Sequence, residues 1–199
     1  KINYKYELDN VLDNVNLEIF ANDRIGISGK SGVGKTTLLY VLLGFYKPLK
    51  GSVLLDSQSI YDNLDDWQSK IGYVPQKINL LDDTIVKNIA FGTNEDDINI
   101  DKINQILKIV KLDEFVSSLT NGIYTTVGEM GSNISGGQIQ RIGIARVLYK
   151  DPEIIMFDEA SNAIDEATEL DLIKTLFNVF ENKTFILISH RKETLKLCN

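Results

Sequence analysis

Apolar and polar positions alternate at the start of the chain, where Ile2, Tyr4 and Tyr6 share one face of an extended segment. Two short β-rich runs follow, "VNLEIF" at 15–20 and "RIGIS" at 24–28, and both predict strands. The period then changes. From Lys35 to about Leu43 the leucines and Val41 predict a buried helix, with Gly44 as its C-terminal stop. "GSVLL" and "IGYVPQ" predict strands on either side of a short "LDDWQSK" helix. Between about Leu80 and Tyr149 the pattern is helical, through "TIVKNIAF", "INIDKINQILKIV", "LDEFVSSL" and "SGGQIQRIGIARVLY". Pro152 breaks that run. "EIIMFDE" and "TFILISH" then read as short apolar strands separated by the helical "ATELDLIKTLFNVF".

Apolar strands joined by helices imply a parallel sheet covered on both faces, with ligand at the C-terminal ends of its strands. Repeats, low-complexity tracts and flexible linkers are absent from the sequence. The expectation is therefore an α/β domain of two lobes, 1–80 with 150–199 in one and a helical insertion, 81–149, in the other.

Composition narrows the function classes. A chain of 199 residues with 43% hydrophobic and 25% charged residues is ordinary globular material, not a disordered segment. A formal net charge of -7 leaves no general basic surface for duplex DNA or an anionic membrane, though a local phosphate site is still allowed. Cys198 is the sole cysteine and His190 the sole histidine, which argues against a disulfide framework, a cysteine metal cluster and a histidine metal site. The lone cysteine suits a reducing compartment. The apolar stretch around Leu38 to Phe45 is far shorter than the roughly 20 residues that span a bilayer, and no signal peptide is visible. The chain begins inside a predicted strand and stops soon after His190, so a piece of a longer protein is expected, with membrane attachment left to a missing part.

Between the strand "RIGIS" and its helix, "GKSGVGKT" fits G-x-x-x-x-G-K-[ST] from Gly29 through Gly34, Lys35 and Thr36. Such a loop is either a plain turn or a cradle whose amides and lysine grip phosphate while the hydroxyl serves magnesium; the flanking strand and helix favour the cradle. "EIIMFDE" ends in Asp158 and Glu159, which either cap a following helix or organise Mg²⁺ and polarise an attacking water. A second glycine-rich helix start, Ser135, Gly136, Gly137 and Gln138, either is only a helix start or offers a second anion site.

Together these motifs resemble the nucleotide-binding domain of ABC transporters, in the family's order and over essentially all 199 residues. The Walker A loop of that family is matched by Gly29, Lys30, Ser31, Gly32, Val33, Gly34, Lys35, Thr36 and Thr37, and its Q-loop glutamine by Gln76 in "YVPQ". Its signature is matched by "ISGGQ", its Walker B by "IIMFDE", its D-loop by "SNAID" and its switch histidine by His190. Tyr6, or less readily Tyr4, matches the aromatic that stacks on adenine; ordinary strand packing is the alternative for either.

The resemblance implies a P-loop NTPase (RecA-like) core with a parallel sheet, an N-terminal antiparallel β subdomain and an inserted α-helical subdomain. It implies a motor whose two copies sandwich two ATP molecules. Lys35 and the loop amides would bind phosphates, Thr36 and Gln76 would ligate Mg²⁺ with Asp158 behind them, Glu159 would act as base, and His190 would contact the γ-phosphate. Ser135 and Gly137 would complete the partner copy's site. The implied partners are a second nucleotide-binding domain and a transmembrane domain in the same or an associated chain, with no nucleic acid and contact with the membrane only through that part, at the cytoplasmic face of the inner membrane.

"TTVGEMGSNISGGQ" resembles exporters, in which a glutamate matched by Glu129 helps contact the transmembrane part; a solvated charge is the alternative. "IGYVPQKINLLDDTIVKNIAFG" and "RIGIARVLYKDPEI" are most similar to exporters that flip lipid-linked oligosaccharides or related glycans. The sequence departs from the family pattern at Ile134, Ile139, Asn162 and Ile164, and family members usually continue past "TLKLCN", so a missing C-terminal edge is expected. The rival reading is a soluble ABC-type ATPase that gates a non-transport partner. A related DNA-repair ATPase is disfavoured by the acidic charge and the lack of a long heptad insertion, and a GTPase by "NKTF", which lacks the guanine-reading aspartate.

Overall fold

The computed structural model describes residues 2–6, 9–128, 134–160 and 163–199, with the backbone alone for 3, 5, 6, 9 and 10. Its centre is a parallel sheet of four strands, β3 (Arg24–Ile27), β6 (Ile71–Val74), β9 (Ile154–Asp158) and β10 (Thr184–Ile188), in the order β3-β10-β9-β6. One rung runs Ile25, Ile186, Met156, Tyr73 across the sheet. The apolar run of β10 is buried at every position because both faces are covered. Met156, Ile186 and Ile188 pack with Leu39 and Leu43 on one side, while Ile155, Phe157, Phe185 and Leu187 join the main core on the other.

Helix α1 (Lys35–Leu42) covers the first face and ends where Gly44 takes φ +76°, a left-handed stop that favours glycine. Against its C-terminal end lies α2 (Leu64–Ser69), whose Trp67 is buried and donates its indole N–H to the Leu42 carbonyl at 2.8 Å. The second face is covered by α6 (Gly136–Tyr149) and α7 (Glu166–Val179), and α8 (Lys192–Leu195) follows β10. The helical insertion comprises α3 (Ile85–Ile89), α4 (Ile100–Ile109), α5 (Asp113–Ser118) and α6. In α4 the buried Ile103, Ile106 and Leu107 fall at helical spacing on one face, and Asn99 caps the start by accepting from the Lys102 N–H at 2.9 Å.

The β additions differ from expectation in detail. β1 (Ile2–Tyr6) pairs antiparallel with β2 (Asp9–Val15), so the pairing falls upstream of the predicted "VNLEIF" strand; residues 16–20 form no strand. Alternation alone supplies no partner edge, and β1 takes up 9–15 instead. Leu17, Ile19 and Phe20 line a cavity of about 400 Å³ with Leu38, Leu42 and Trp67, and no residue of the glycine loop lines it. Of "GSVLL" only β4 (Leu54–Leu55) is a strand, paired with β5 (Gln58–Ser59) around Asp56 and Ser57, both at positive φ as a tight two-residue hairpin loop requires. The helical insertion also carries one antiparallel pair, β7 (Asp83–Thr84) with β8 (Thr126–Val127). Among the described residues no helix is long and apolar enough to cross a membrane.

Candidate functional site

The C-terminal ends of β3, β9 and β10 lie side by side, and each delivers a chemistry-bearing segment to the same edge. β3 runs into the glycine loop, which turns into α1 at Gly34. This glycine stands at φ +96°, and a Cβ there would meet Val11 Cγ1 at 2.8 Å and the Val11 carbonyl at 3.0 Å, so only glycine fits. No side chain caps α1 and no acidic residue sits in its first turn, so the helix end keeps its positive character. Lys35 is buried and its ammonium folds back over the loop, donating to the carbonyls of Gly29 at 3.1 Å and Lys30 at 3.0 Å. Ser31, Gly32 and Val33 form the exposed crest.

Asp158 closes β9 and is only 4% exposed. Its two oxygens are both occupied: Thr36 Oγ1 donates to Oδ1 at 3.0 Å and the Tyr73 hydroxyl to Oδ2 at 3.1 Å. Burial pushes its carboxyl above the usual range, against the downward pull of those hydrogen bonds. Burial likewise pushes the Tyr73 phenol up, reinforced by Tyr40 and by Asp158.

Glu159 takes φ +50°, a left-handed conformation uncommon for a non-glycine residue and frequent at functional turns. Its N–H donates to the Ile188 carbonyl at 3.2 Å. The carboxylate thereby sits among Lys35 Nζ at 3.7 Å, Gln76 Nε2 at 3.2 Å and His190 Nε2 at 2.9 Å. The sequence-predicted loop lysine, Q-loop glutamine, acidic pair and histidine thus converge on one small region.

A hard cation fits the donors present. The Thr36 hydroxyl and the Asp158 carboxylate are already adjacent, and no group of three His, Cys, Asp or Glu among the described residues could form an all-protein cage. The adjacent hydroxyl and carboxylate are oxygen donors of the kind that suit Mg²⁺, which is commonly held by one or two protein oxygens together with phosphates. Gln76 is engaged with Glu159 rather than with Thr36 or Asp158.

Ser135 and Gln138 begin α6 as a reciprocal capping box: Ser135 Oγ accepts from the Gln138 N–H at 3.3 Å, and Gln138 Oε1 accepts from the Ser135 N–H at 2.8 Å. Ser135 and Gly136 are exposed, and a Cβ on Gly136 would lie 3.3 Å from that of Ala163. Glu129, Ser161 and Asn162 lie outside the described residues, as does the side chain of Tyr6. Tyr4 stacks on Tyr46 with ring centroids 5.2 Å apart.

Sequence reasoning missed several supports. Gln140 is buried in α6, donates to the Gln76 carbonyl at 3.3 Å and accepts from the Ala163 N–H at 3.2 Å, tying the segments after β6 and β9 together. Glu169 is 1% exposed; it pairs with Arg191 and accepts from Thr194 Oγ1 at 2.9 Å, while Arg191 also donates to the Ile164 carbonyl at 2.8 Å. The signal for both was a polar residue on an otherwise apolar helical face. Tyr73 gave no such signal, since a tyrosine suits any strand.

The ABC transporter family model matches residues 12–162. An export ATP-binding/permease protein of Rickettsia typhi is 40% identical over 187 residues, covering 94% of this chain and 32% of that protein. An ATP-dependent lipid A-core flippase of Francisella novicida is also 40% identical over 187 residues, covering 94% of this chain and 31% of the relative. The leukotoxin translocation ATP-binding protein of Mannheimia glucosida is 39% identical over 197 residues, 98% of this chain and 28% of that protein. Among solved structures, a bacterial Atm1-family ABC exporter with ATP bound superposes with a TM-score of 0.90 at 37% identity, covering 98% of this chain and 34% of that one. The chain spans about a third of the length of these relatives.

Proposed function

Because the chain belongs to the ABC transporter family, we propose that it binds and hydrolyses ATP as the motor domain of an exporter. The observation that carries this reading is the Glu159 carboxylate, held among Lys35, Gln76 and His190 beside the Thr36–Asp158 pair. The division into a catalytic lobe, 1–80 with 150–199, and a helical lobe, 81–149, belongs to the same proposal.

In this reading the loop amides of 29–37 and the Lys35 ammonium bind the β- and γ-phosphates of ATP, and Lys35 exchanges its carbonyl partners for phosphate oxygens. Mg²⁺, when bound, neutralises phosphate charge; Thr36, Asp158 and Gln76 are the residues that would hold it. Glu159 takes a proton from water as the water oxygen bonds to the γ-phosphorus. The bond from that phosphorus to the β–γ bridging oxygen breaks, releasing ADP and inorganic phosphate. His190 holds Glu159 and the γ-phosphate in line. Tyr6 stacks on adenine.

The capped, exposed Ser135 at the start of α6, with Gly136, Gly137 and Gln138, supports a second phosphate contact that serves a partner copy in a head-to-tail dimer. A transmembrane domain, in the same or an associated chain, places this unit at the cytoplasmic face of the membrane, with Glu129 at the contact. The exporters among the relatives support transport over a soluble gating switch. A lipid-linked glycan is supported by the flippase, while a leukotoxin translocator has nearly equal identity, so substrate choice is assigned to residues outside this chain.

The test is phosphate release from ATP by the full-length protein, wild type against Lys35→Ala. Activity in the wild type that is lost in the variant supports the reading. Equal activity in both overturns it.

A further inference from the structure

The segment Tyr73 to Gln76 donates to both members of the acidic pair: the Tyr73 hydroxyl to Asp158 at 3.1 Å and Gln76 Nε2 to Glu159 at 3.2 Å. The motifs account for the second contact and leave the first unused. Tyr73 pairs in register with Met156, and on a parallel sheet its side chain shares a face with Met156 and Asp158. Its ring is half-buried and lies edge-on to Tyr40 of α1, centroids 6.2 Å apart at 74°. Tyr40 in turn meets Tyr46 edge-on at 5.4 Å, and Tyr46 stacks on Tyr4 of β1. The hydroxyl is therefore aimed by packed aromatic rings rather than by a mobile side chain.

The carboxylate it meets is buried, and Oδ1 is taken by Thr36, so without Tyr73 its Oδ2 loses its one tyrosine donor. A carboxylate held by a single hydrogen bond turns freely about its terminal torsion, which is broad and nearly two-fold. Held by two, it presents fixed lone pairs.

We propose that Tyr73 is a positioning residue that locks the Asp158 carboxylate toward Thr36 and so sets the affinity of the site for the divalent cation that accompanies nucleotide. This rests on the ATP-binding reading above. The hydroxyl touches no substrate atom; it acts through Asp158. A phenol keeps its proton near neutral pH and stays a donor throughout the working range.

The test uses Tyr73→Phe in the full-length protein, a change that keeps the ring and its packing. Binding of ATP is titrated in the presence of EDTA and then with increasing Mn²⁺, with the Mn²⁺ paramagnetic resonance spectrum as an independent readout. The half-saturating Mn²⁺ concentration should rise about tenfold, the low end for a hydrogen bond to a charged group, while ATP affinity in EDTA stays unchanged. Tyr73→Leu should show the same cation defect together with a lower melting temperature, which separates loss of the hydroxyl from loss of packing. Unchanged Mn²⁺ half-saturation in folded Tyr73→Phe overturns the inference while leaving the ATP reading intact. Wild type in which Mn²⁺ leaves ATP affinity at its EDTA value also overturns the inference, and wild type that binds no ATP with or without Mn²⁺ overturns both.

Discussion

His190 Nε2 stands 2.9 Å from Glu159 Oε1, and the two residues leave the ends of neighbouring parallel strands β10 and β9. The left-handed turn at Glu159 and its N–H bond to Ile188 bring them together, so the pair is a product of sheet register. Imidazole and carboxylate at this distance hydrogen-bond, which holds the carboxylate where the proposed base must stand.

Glu159→Gln keeps the shape and the Gln76 and His190 contacts but removes the base. Turnover should fall by about 10² to 10⁴-fold, as for loss of a general base, with ATP affinity retained. Phosphate release and equilibrium nucleotide binding measure the two halves. Hydrolysis at the wild-type rate would remove Glu159 from the role.

His190→Ala removes the partner and leaves the base in place. Turnover should drop by about 10²-fold, the scale of losing one stabilising donor, with little change in ATP affinity. A larger loss in binding than in turnover would assign His190 to ground-state binding instead.

Tyr6→Ala should weaken adenine nucleotides by about 1 to 3 kcal/mol, with Tyr6→Phe mild, if its ring serves as a stacking platform. Tyr4→Ala should instead lower stability by about 0.5 to 1.5 kcal/mol through loss of the Tyr46 stack. Calorimetry of ATP binding beside denaturant unfolding separates the two. The reverse pattern would exchange their roles.

Mixing Lys35→Ala and Ser135→Arg full-length proteins tests the head-to-tail dimer. Each homodimer has the same defect in both composite sites, whereas the mixed dimer collects both defects in one site and leaves the other intact. ATP-dependent closure, followed by a distance probe between protomers, should therefore recover on mixing. Closure no better than either parent would refute a trans role for Ser135.

Glu169→Ala removes the buried acceptor of both Arg191 and Thr194, while Arg191, partly exposed, keeps the Ile164 carbonyl, so the loss should be about 1 to 3 kcal/mol. Denaturant unfolding checks the loss. Turnover should fall as well, because Arg191 is bonded to Ile164 and directly follows His190. An unchanged midpoint would show that Arg191 finds water or another acceptor.

The sheet and the helical insertion were legible because their signals are long: five-residue apolar strands buried on both faces, and helices with periodic faces such as Ile103, Ile106 and Leu107. The short β elements were not, because a strand needs a partner edge as well as a pattern. Val15 ends β2 opposite Ile2, and the rest of "VNLEIF", 16–20, though suitably patterned, forms no strand. At the site, glycine spacing and polar residues at strand ends pointed to Gly34, Lys35, Thr36, Asp158 and Glu159, since backbone amides and charges leave a sequence signature, while His190 was singled out by the family resemblance alone. Tyr73, Gln140 and Glu169 act through contacts between segments far apart in sequence, and no local pattern encodes a hydroxyl that reaches across a sheet.

Trp67 is the only tryptophan in the chain, and its indole N–H is fastened to Leu42, the last residue of the helix whose first residue is Lys35. That helix is a rod of about 12 Å, with the loop lysine at one end and a fluorophore at the other. Indole emission responds to the polarity and hydrogen bonding around the ring, so an axial slide or tilt of the rod is written directly into colour and intensity. The protein carries a label-free optical gauge of the helix that begins at Lys35.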